Sequence, residues 1–164
     1  MTQTFRDRVD VSLTVNGEPV EARVPVGQHL IDFLRTDLGL TGAHASCEHG
    51  VCGACSVRVD GRVVRGCLML ATQADGAAVE TIEGIVESSE AADLAEAFIG
   101  RNALQCGFCT PGMMLTAAEL LAEGKPLDRA GIRQELSGNI CRCTGYQAIV
   151  DAVESVLVKK TGEV

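Results

Sequence analysis

Alternation dominates the first part of the chain. Val9, Val11, Leu13 and Val15 occupy every second position, with Asp10, Ser12 and Thr14 between them. A period of two places the four apolar side chains on one face, so Val9–Val15 reads as a half-buried strand. Asn16-Gly17 is a two-residue hairpin turn. Val20, Ala22 and Val24 resume the alternation until Pro25 ends the return strand. The period then changes. Leu30, Ile31, Leu34 and Leu38 are spaced for one face of a helix over His29–Leu38, with Gly39 as its C-cap. Thr41–Cys55 is rich in Gly and Cys and has no period, as expected of a loop wrapped around something. Val57, Val59, the turn Asp60-Gly61, Val63 and Val64 predict a second hairpin. Leu68–Gln73 predicts a short helix and Ala78–Ile82 a last strand.

After Gly84 the pattern becomes helical. Glu87–Ala92 is small and acidic, a linker or helix start with Ser88 or Ser89 as cap. Leu94–Arg101, Pro111–Ala122, Asp128–Leu136 and Tyr146–Val158 predict four helices. Asp128 is an N-cap residue, and Gly124 closes the second helix. The fold class is therefore α+β. A small mixed sheet crossed by a helix forms a first domain, residues 1–84, and an all-helical domain follows, residues 85–164.

Composition narrows the function. Of 164 residues 46% are hydrophobic but only 3% aromatic, with no Trp and one Tyr. The core must be built from Ala, Val, Leu and Ile, and small cores of that kind often need a metal as a staple. A net charge of −8 argues against nucleic acid, which is bound through clustered Lys and Arg. No apolar run approaches the roughly 20 residues of a membrane span. Met1–Arg8 has neither the apolar stretch nor the arginine pair of a secretion signal, so the expected compartment is the cytoplasm. Disulfides are rare there, which leaves metal as the leading explanation for eight cysteines.

The first four cysteines read Cys47-x4-Cys52-x2-Cys55-x11-Cys67. That is the spacing of a plant-type 2Fe-2S centre. Three thiolates so close in sequence converge only if the backbone curls tightly, which Gly50 and Gly53 permit. Structural zinc sites favour two short Cys pairs, which this set lacks. Cys52-Gly53-Ala54-Cys55 as a redox pair would strand two cysteines, and Cys47-Glu48-His49 is only half of a Rieske centre. His49 reads as a loop histidine, and His29 and His44 as structural or exposed. The last four, Cys106-x2-Cys109-x31-Cys141-x1-Cys143, fit zinc or a second cluster by spacing alone. Each pair of this set precedes a Thr. Thr110, with Pro111 in the first helical position, and Thr144 are candidate N-caps that would bring four thiols to two helix N-termini. Such positions favour the thiolate.

Three motifs taken together carry a resemblance. They are Thr41-Gly42-Ala43-His44-Ala45-Ser46-Cys47-Glu48-His49-Gly50-Val51-Cys52-Gly53-Ala54-Cys55, then Gln105-Cys106-Gly107-Phe108-Cys109-Thr110-Pro111-Gly112, then Gly138-Asn139-Ile140-Cys141-Arg142-Cys143-Thr144-Gly145-Tyr146. Over residues 9–158 the chain resembles the small iron–sulfur subunit of the molybdenum hydroxylases, the xanthine dehydrogenase, aldehyde oxidase and aerobic carbon monoxide dehydrogenase family. Ser46 stands where that family commonly has glycine. The resemblance implies a β-grasp plant-type ferredoxin-like domain followed by a four-helix bundle. Each would hold one 2Fe-2S cluster, on Cys47, Cys52, Cys55 and Cys67 and on Cys106, Cys109, Cys141 and Cys143. It implies two partners, a large subunit with molybdopterin in its cytosine dinucleotide form and a medium subunit with FAD, in a dimer of heterotrimers. Electrons would pass from molybdenum through the helical-domain cluster and the ferredoxin-like cluster to the flavin. Gln105 and Cys143 would lie against the pterin, while the loop rim at Glu48 and His49 suits the flavin side. The other readings are a free-standing ferredoxin-like carrier and a zinc-stabilised interaction module.

Overall fold

The computed structural model describes residues 7–88 and 91–161. Strands β1 (Arg8–Val15) and β2 (Glu18–Pro25) form the predicted hairpin, with Val15 opposite Glu18 and left-handed backbone at Asn16 and Gly17. Val11, Leu13, Val15 and Val24 are buried, as the alternation requires. β3 (Ser56–Val59) and β4 (Arg62–Arg65) form the second hairpin, and β5 (Ala78–Glu80) lies between the two hairpins. The sheet runs β2-β1-β5-β3-β4, antiparallel except where β5 lies parallel to β1. Leu30, Ile31, Phe33 and Leu34 cover one face of it and are fully enclosed.

Three elements differ from their sequence prediction. The helix expected over His29–Leu38 is α-helical only at α1 (Leu30–Asp32) and widens to a π-turn at Phe33–Asp37. From that turn Arg35 Nη1 donates to the carbonyls of Thr41 and Ala43, at 2.6 Å each, and so ties down the start of the cysteine loop. The helix expected at Leu68–Gln73 is a 3-10 turn at Ala71–Ala74, where Gln73 Oε1 accepts from the Leu70 N–H. The strand expected to reach Ile82 stops at Glu80, because Thr81 is held by another loop. Its N–H donates to Asn16 Oδ1 at 2.8 Å, and Asn16 Nδ2 donates to its hydroxyl at 3.0 Å. Helix α2 (Ile82–Glu87), which the sequence prediction did not include, follows at once and runs across residue 84. Ser88 is its C-cap rather than the N-cap of the next helix; Ser89 lies outside the described residues.

The second half holds α3 (Ala92–Gly100), α4 (Thr110–Glu123), α5 (Arg129–Glu135) and α6 (Gln147–Thr161), each within a few residues of its predicted span. Asp128 caps α5 by accepting from Gly131 N–H at 2.8 Å, and Gly124 ends α4 in the left-handed region. The buried apolar residues fall into two clusters, one from Val11 to Val79 and one from Ile85 to Leu157. α4 packs its polar edge on the sheet, where Glu119 Oε1 accepts from Val63 N–H at 2.8 Å.

Candidate metal centres

The eight cysteines gather at two places and form no disulfide. In the first, Cys47, Cys52 and Cys55 come from the loop between the π-turn and β3, and Cys67 follows β4. Gly53 adopts φ +74, and a side chain there would stand 2.6 Å from the Gly138 carbonyl oxygen. The Sγ atoms of Cys55 and Cys67 are 3.2 Å apart, both buried. Cys52 N–H points at Cys47 Sγ, 3.4 Å away. With His49 N–H, that donor brings the Cys47 thiol down to about 6. Burial pushes Cys55 the other way, to about 11.

In the second place Cys106 and Cys143 approach to 3.5 Å between sulfurs, and both are exposed. Cys109 and Cys141 face each other beneath them, closer to the core. The helix caps differ from the prediction. Cys109 itself is the N-cap of α4, its carbonyl accepting from Met113 N–H at 3.0 Å, and Thr110 is already inside the helix. Burial outweighs that helix terminus, and the Cys109 thiol rises to about 12. Thr144 does not cap α6, which starts three residues later. Its hydroxyl accepts from Tyr146 N–H and donates to Cys141 Sγ at 3.1 Å, with Thr144 N–H adding a donor at 3.4 Å. Burial opposes ionisation of Cys141, but these donors overcome it and lower the thiol below its ordinary value. Tyr146 closes the turn by accepting from Cys141 N–H at 2.9 Å.

Among the described residues no three His, Cys, Asp or Glu side chains converge as a ready single-ion site. The sulfurs are grouped two by two. That arrangement suits a diiron core, in which each iron takes two protein ligands, and the N–H and O–H donors aimed at sulfur suit its negative charge. The residues present therefore fit a 2Fe-2S cluster at both places.

The two places are joined by contacts that the sequence did not signal. Ile140 N–H donates to the Cys52 carbonyl at 2.8 Å. Asn139, only 1% exposed, donates from Nδ2 to the Gly53 carbonyl at 3.1 Å and accepts at Oδ1 from Thr116. Arg65 bridges Ser56 Oγ and the Gly138 carbonyl. His44 stacks on Phe108, with ring centroids 4.4 Å apart, and its Nδ1 lies 2.8 Å from the Phe108 carbonyl. Gln105 is exposed beside Cys106, and Glu48 and His49 are exposed on the rim of the first loop.

A sheet domain and a helical domain, each carrying a four-cysteine set of this form, define a two-centre iron–sulfur electron-transfer protein. Residues 13–81 match the 2Fe-2S iron-sulfur cluster binding domain, and residues 81–154 match the 2Fe-2S binding domain. The chain is 48% identical to caffeine dehydrogenase subunit gamma of Pseudomonas sp. (strain CBB1), over 89% of each chain. It is 47% identical to the nicotine 6-hydroxylase small subunit of Paenarthrobacter nicotinovorans, over 93% of this chain and 92% of that one. Its fold matches quinoline 2-oxidoreductase from Pseudomonas putida 86 with a TM-score of 0.86 at 41% identity, covering 97% of this chain and 100% of that one. The chain belongs to the small iron–sulfur subunits of the molybdenum hydroxylases, whose part in the reaction is electron transfer.

Proposed function

We propose that this chain carries electrons from a molybdenum cofactor to FAD within a complex of three kinds of subunit. The observation that carries the reading is the grouping of eight cysteines into two sets of two pairs. Cys47 with Cys52, and Cys55 with Cys67, would hold the two irons of the first cluster. Cys106 with Cys143, and Cys109 with Cys141, would hold those of the second. When bound, a 2Fe-2S cluster takes up and gives away one electron at a time. The chain's own groups orient the ligands, offer N–H and O–H donors to sulfur, and bury Cys55, Cys67 and Cys141.

The division into residues 1–84 and 85–164 is supported by the two separate cores. We read the first as a β-grasp ferredoxin-like domain and the second as a four-helix bundle of α3, α4, α5 and α6. The partners are a large subunit with molybdopterin cytosine dinucleotide and a medium subunit with FAD, assembled as a dimer of heterotrimers in the cytoplasm. Among the described residues no helix is long and apolar enough to cross a membrane. The second set faces the molybdenum subunit, because Cys106 and Cys143 are exposed among the exposed apolar side chains Leu104, Phe108 and Ile140. Gln105 then presents an amide that donates to and accepts from a pterin edge at once, beside Cys143. Glu48 and His49 mark the flavin side.

Iron and acid-labile sulfide in the purified complex should be at parity and sufficient for two clusters per chain. Cys52→Ser should remove one of two reduced-state EPR signals and leave the other. Zinc in place of iron, or loss of both signals in folded protein, rejects the reading.

A further inference from the structure

The junction between the two cysteine sets is built more closely than packing alone requires. Residues 139 and 140 meet residues 52 and 53, and each segment adjoins a cysteine of its own set. Ile140 N–H to the Cys52 carbonyl, at 2.8 Å, makes an unbroken path. It runs from Cys52 Sγ through Cβ, Cα and C=O, crosses one hydrogen bond to the Ile140 amide, and continues along the backbone to Cys141 and its Sγ. The next residue on each side supplies a clamp. Asn139, with 1% of its surface exposed, fixes Gly53 by its Nδ2. The Gly53 carbonyl can only accept, which sets which way the amide faces, and Oδ1 lies 3.0 Å from the Thr116 hydroxyl, itself 3.0 Å from the Gly112 carbonyl. Ser56 Oγ donates to the same Gly53 carbonyl at 2.7 Å, and Arg65 holds Ser56 to Gly138 from the other side. No side chain fits between: a Cβ on Gly112 would lie 2.2 Å from the Gly53 oxygen.

We propose that the Ile140–Cys52 hydrogen bond is the route by which electrons cross between the two centres, and that Asn139 is the positioning residue that keeps it closed. This rests on reading the two cysteine sets as 2Fe-2S centres. One electron leaves one centre and arrives at the other. No bond forms or breaks and no proton moves. The rival contact runs from Cys55 through the Ala54 carbonyl to His44 N–H at 3.1 Å, then from the His44 ring to the Phe108 carbonyl beside Cys109. It needs two hydrogen bonds and a side chain where the first route needs one hydrogen bond between backbone groups. Each non-covalent step weakens electronic coupling more than a covalent bond does, so the shorter route dominates.

The test uses the assembled complex in two preparations: oxidised and given single electrons by a radiation pulse for the transfer rate, and chemically reduced for the EPR signals and their splitting. Asn139→Ala should retain its iron, both EPR signals and both midpoint potentials. Inter-centre transfer should slow on the order of tenfold, the scale seen when outer-shell partners of a metal site are removed, and the exchange part of the spin–spin splitting should shrink. Thr116→Val should do the same to a smaller extent. Wild-type transfer rate and splitting in both loaded variants overturn the proposal, as does His44→Ala slowing transfer while Asn139→Ala does not. If Asn139→Ala fails to load, hydrogen exchange in the wild-type complex decides. A protected Ile140 amide supports the bridge, and one exchanging as fast as open loop amides rejects it. Wild-type protein lacking two clusters overturns the underlying reading instead.

Discussion

At Gly112 two rules oppose each other. Alanine in a helix is ordinarily about 1 kcal/mol better than glycine. Here its Cβ would meet the Gly53 carbonyl at 2.2 Å, and that carbonyl cannot retreat because Asn139 and Ser56 hold it. Overpacking of this kind costs about 1–3 kcal/mol, and close contact with backbone leaves no flexible end to yield, so the clash wins. Gly112→Ala should lower the melting temperature by several degrees, read by calorimetry. An unchanged or raised value would show that the two segments separate easily. The cysteines give a pH prediction for the metal-free chain. Cys47 titrates at about 6 against an ordinary 9.0, so the stability it contributes is full above pH 9 and lost as pH falls through 6. Cys55 titrates at about 11, so its contribution is full below pH 9 and lost as pH rises through 11. Alkylation at pH 7 should therefore label Cys47 first and Cys55 and Cys109 last. Peptide mapping by mass spectrometry would show this, and uniform labelling would contradict it.

Among the elements, α5 depends most on its ends. It has seven residues, well short of the length at which an isolated helix persists. The Asp128 cap and the Arg129 pairs to Asp151 and Glu154 on α6 hold it in place. The three charged side chains are each about a third exposed, so screening reduces the pairs to a minor contribution. The cap satisfies a backbone donor and is worth about 1 kcal/mol. Asp128→Ala should destabilise the helical half by about that amount in denaturant titration followed by circular dichroism, while the cluster near Cys47 keeps its EPR signal. A loss confined to the first cluster would contradict this assignment of α5. Thr81 and Ser88 act at the element scale too, because tertiary hydrogen bonds there move the boundaries of β5 and α2.

For the whole molecule, the prediction concerns direction. Cys106 and Cys143 are exposed, whereas Cys55 and Cys67 are buried. Gln105→Ala should slow substrate-driven reduction of the clusters in the assembled complex and leave reoxidation through the flavin unchanged, as followed by stopped flow. A slowed flavin step alone would reverse the order of the two centres. The apolar side chains exposed around the second set, Leu104, Phe108 and Ile140, are suited to burial against a partner.

Sequence alone determined the local structure wherever pattern and turn chemistry act over a few residues. Alternation in Val9–Val15, the turns at Asn16-Gly17 and Asp60-Gly61, the Asp128 cap and the Gly124 stop are all realised. Cysteine spacing, with the motifs around it, was enough to divide the eight thiols into two sets. The tertiary structure decided what depends on groups far apart in the chain. Thr110 and Thr144 satisfied every local rule for helix caps, but Cys109 and the Cys141 sulfur set their roles. His44 read only as structural or exposed, and folding is what brings it within stacking distance of Phe108. Asn139 and Ile140 stand in the third cysteine motif, but nothing local says what they touch. Their partners Gly53 and Cys52 are 86 and 88 positions away, and only folding makes a buried amide and a backbone N–H answer two carbonyls that need them.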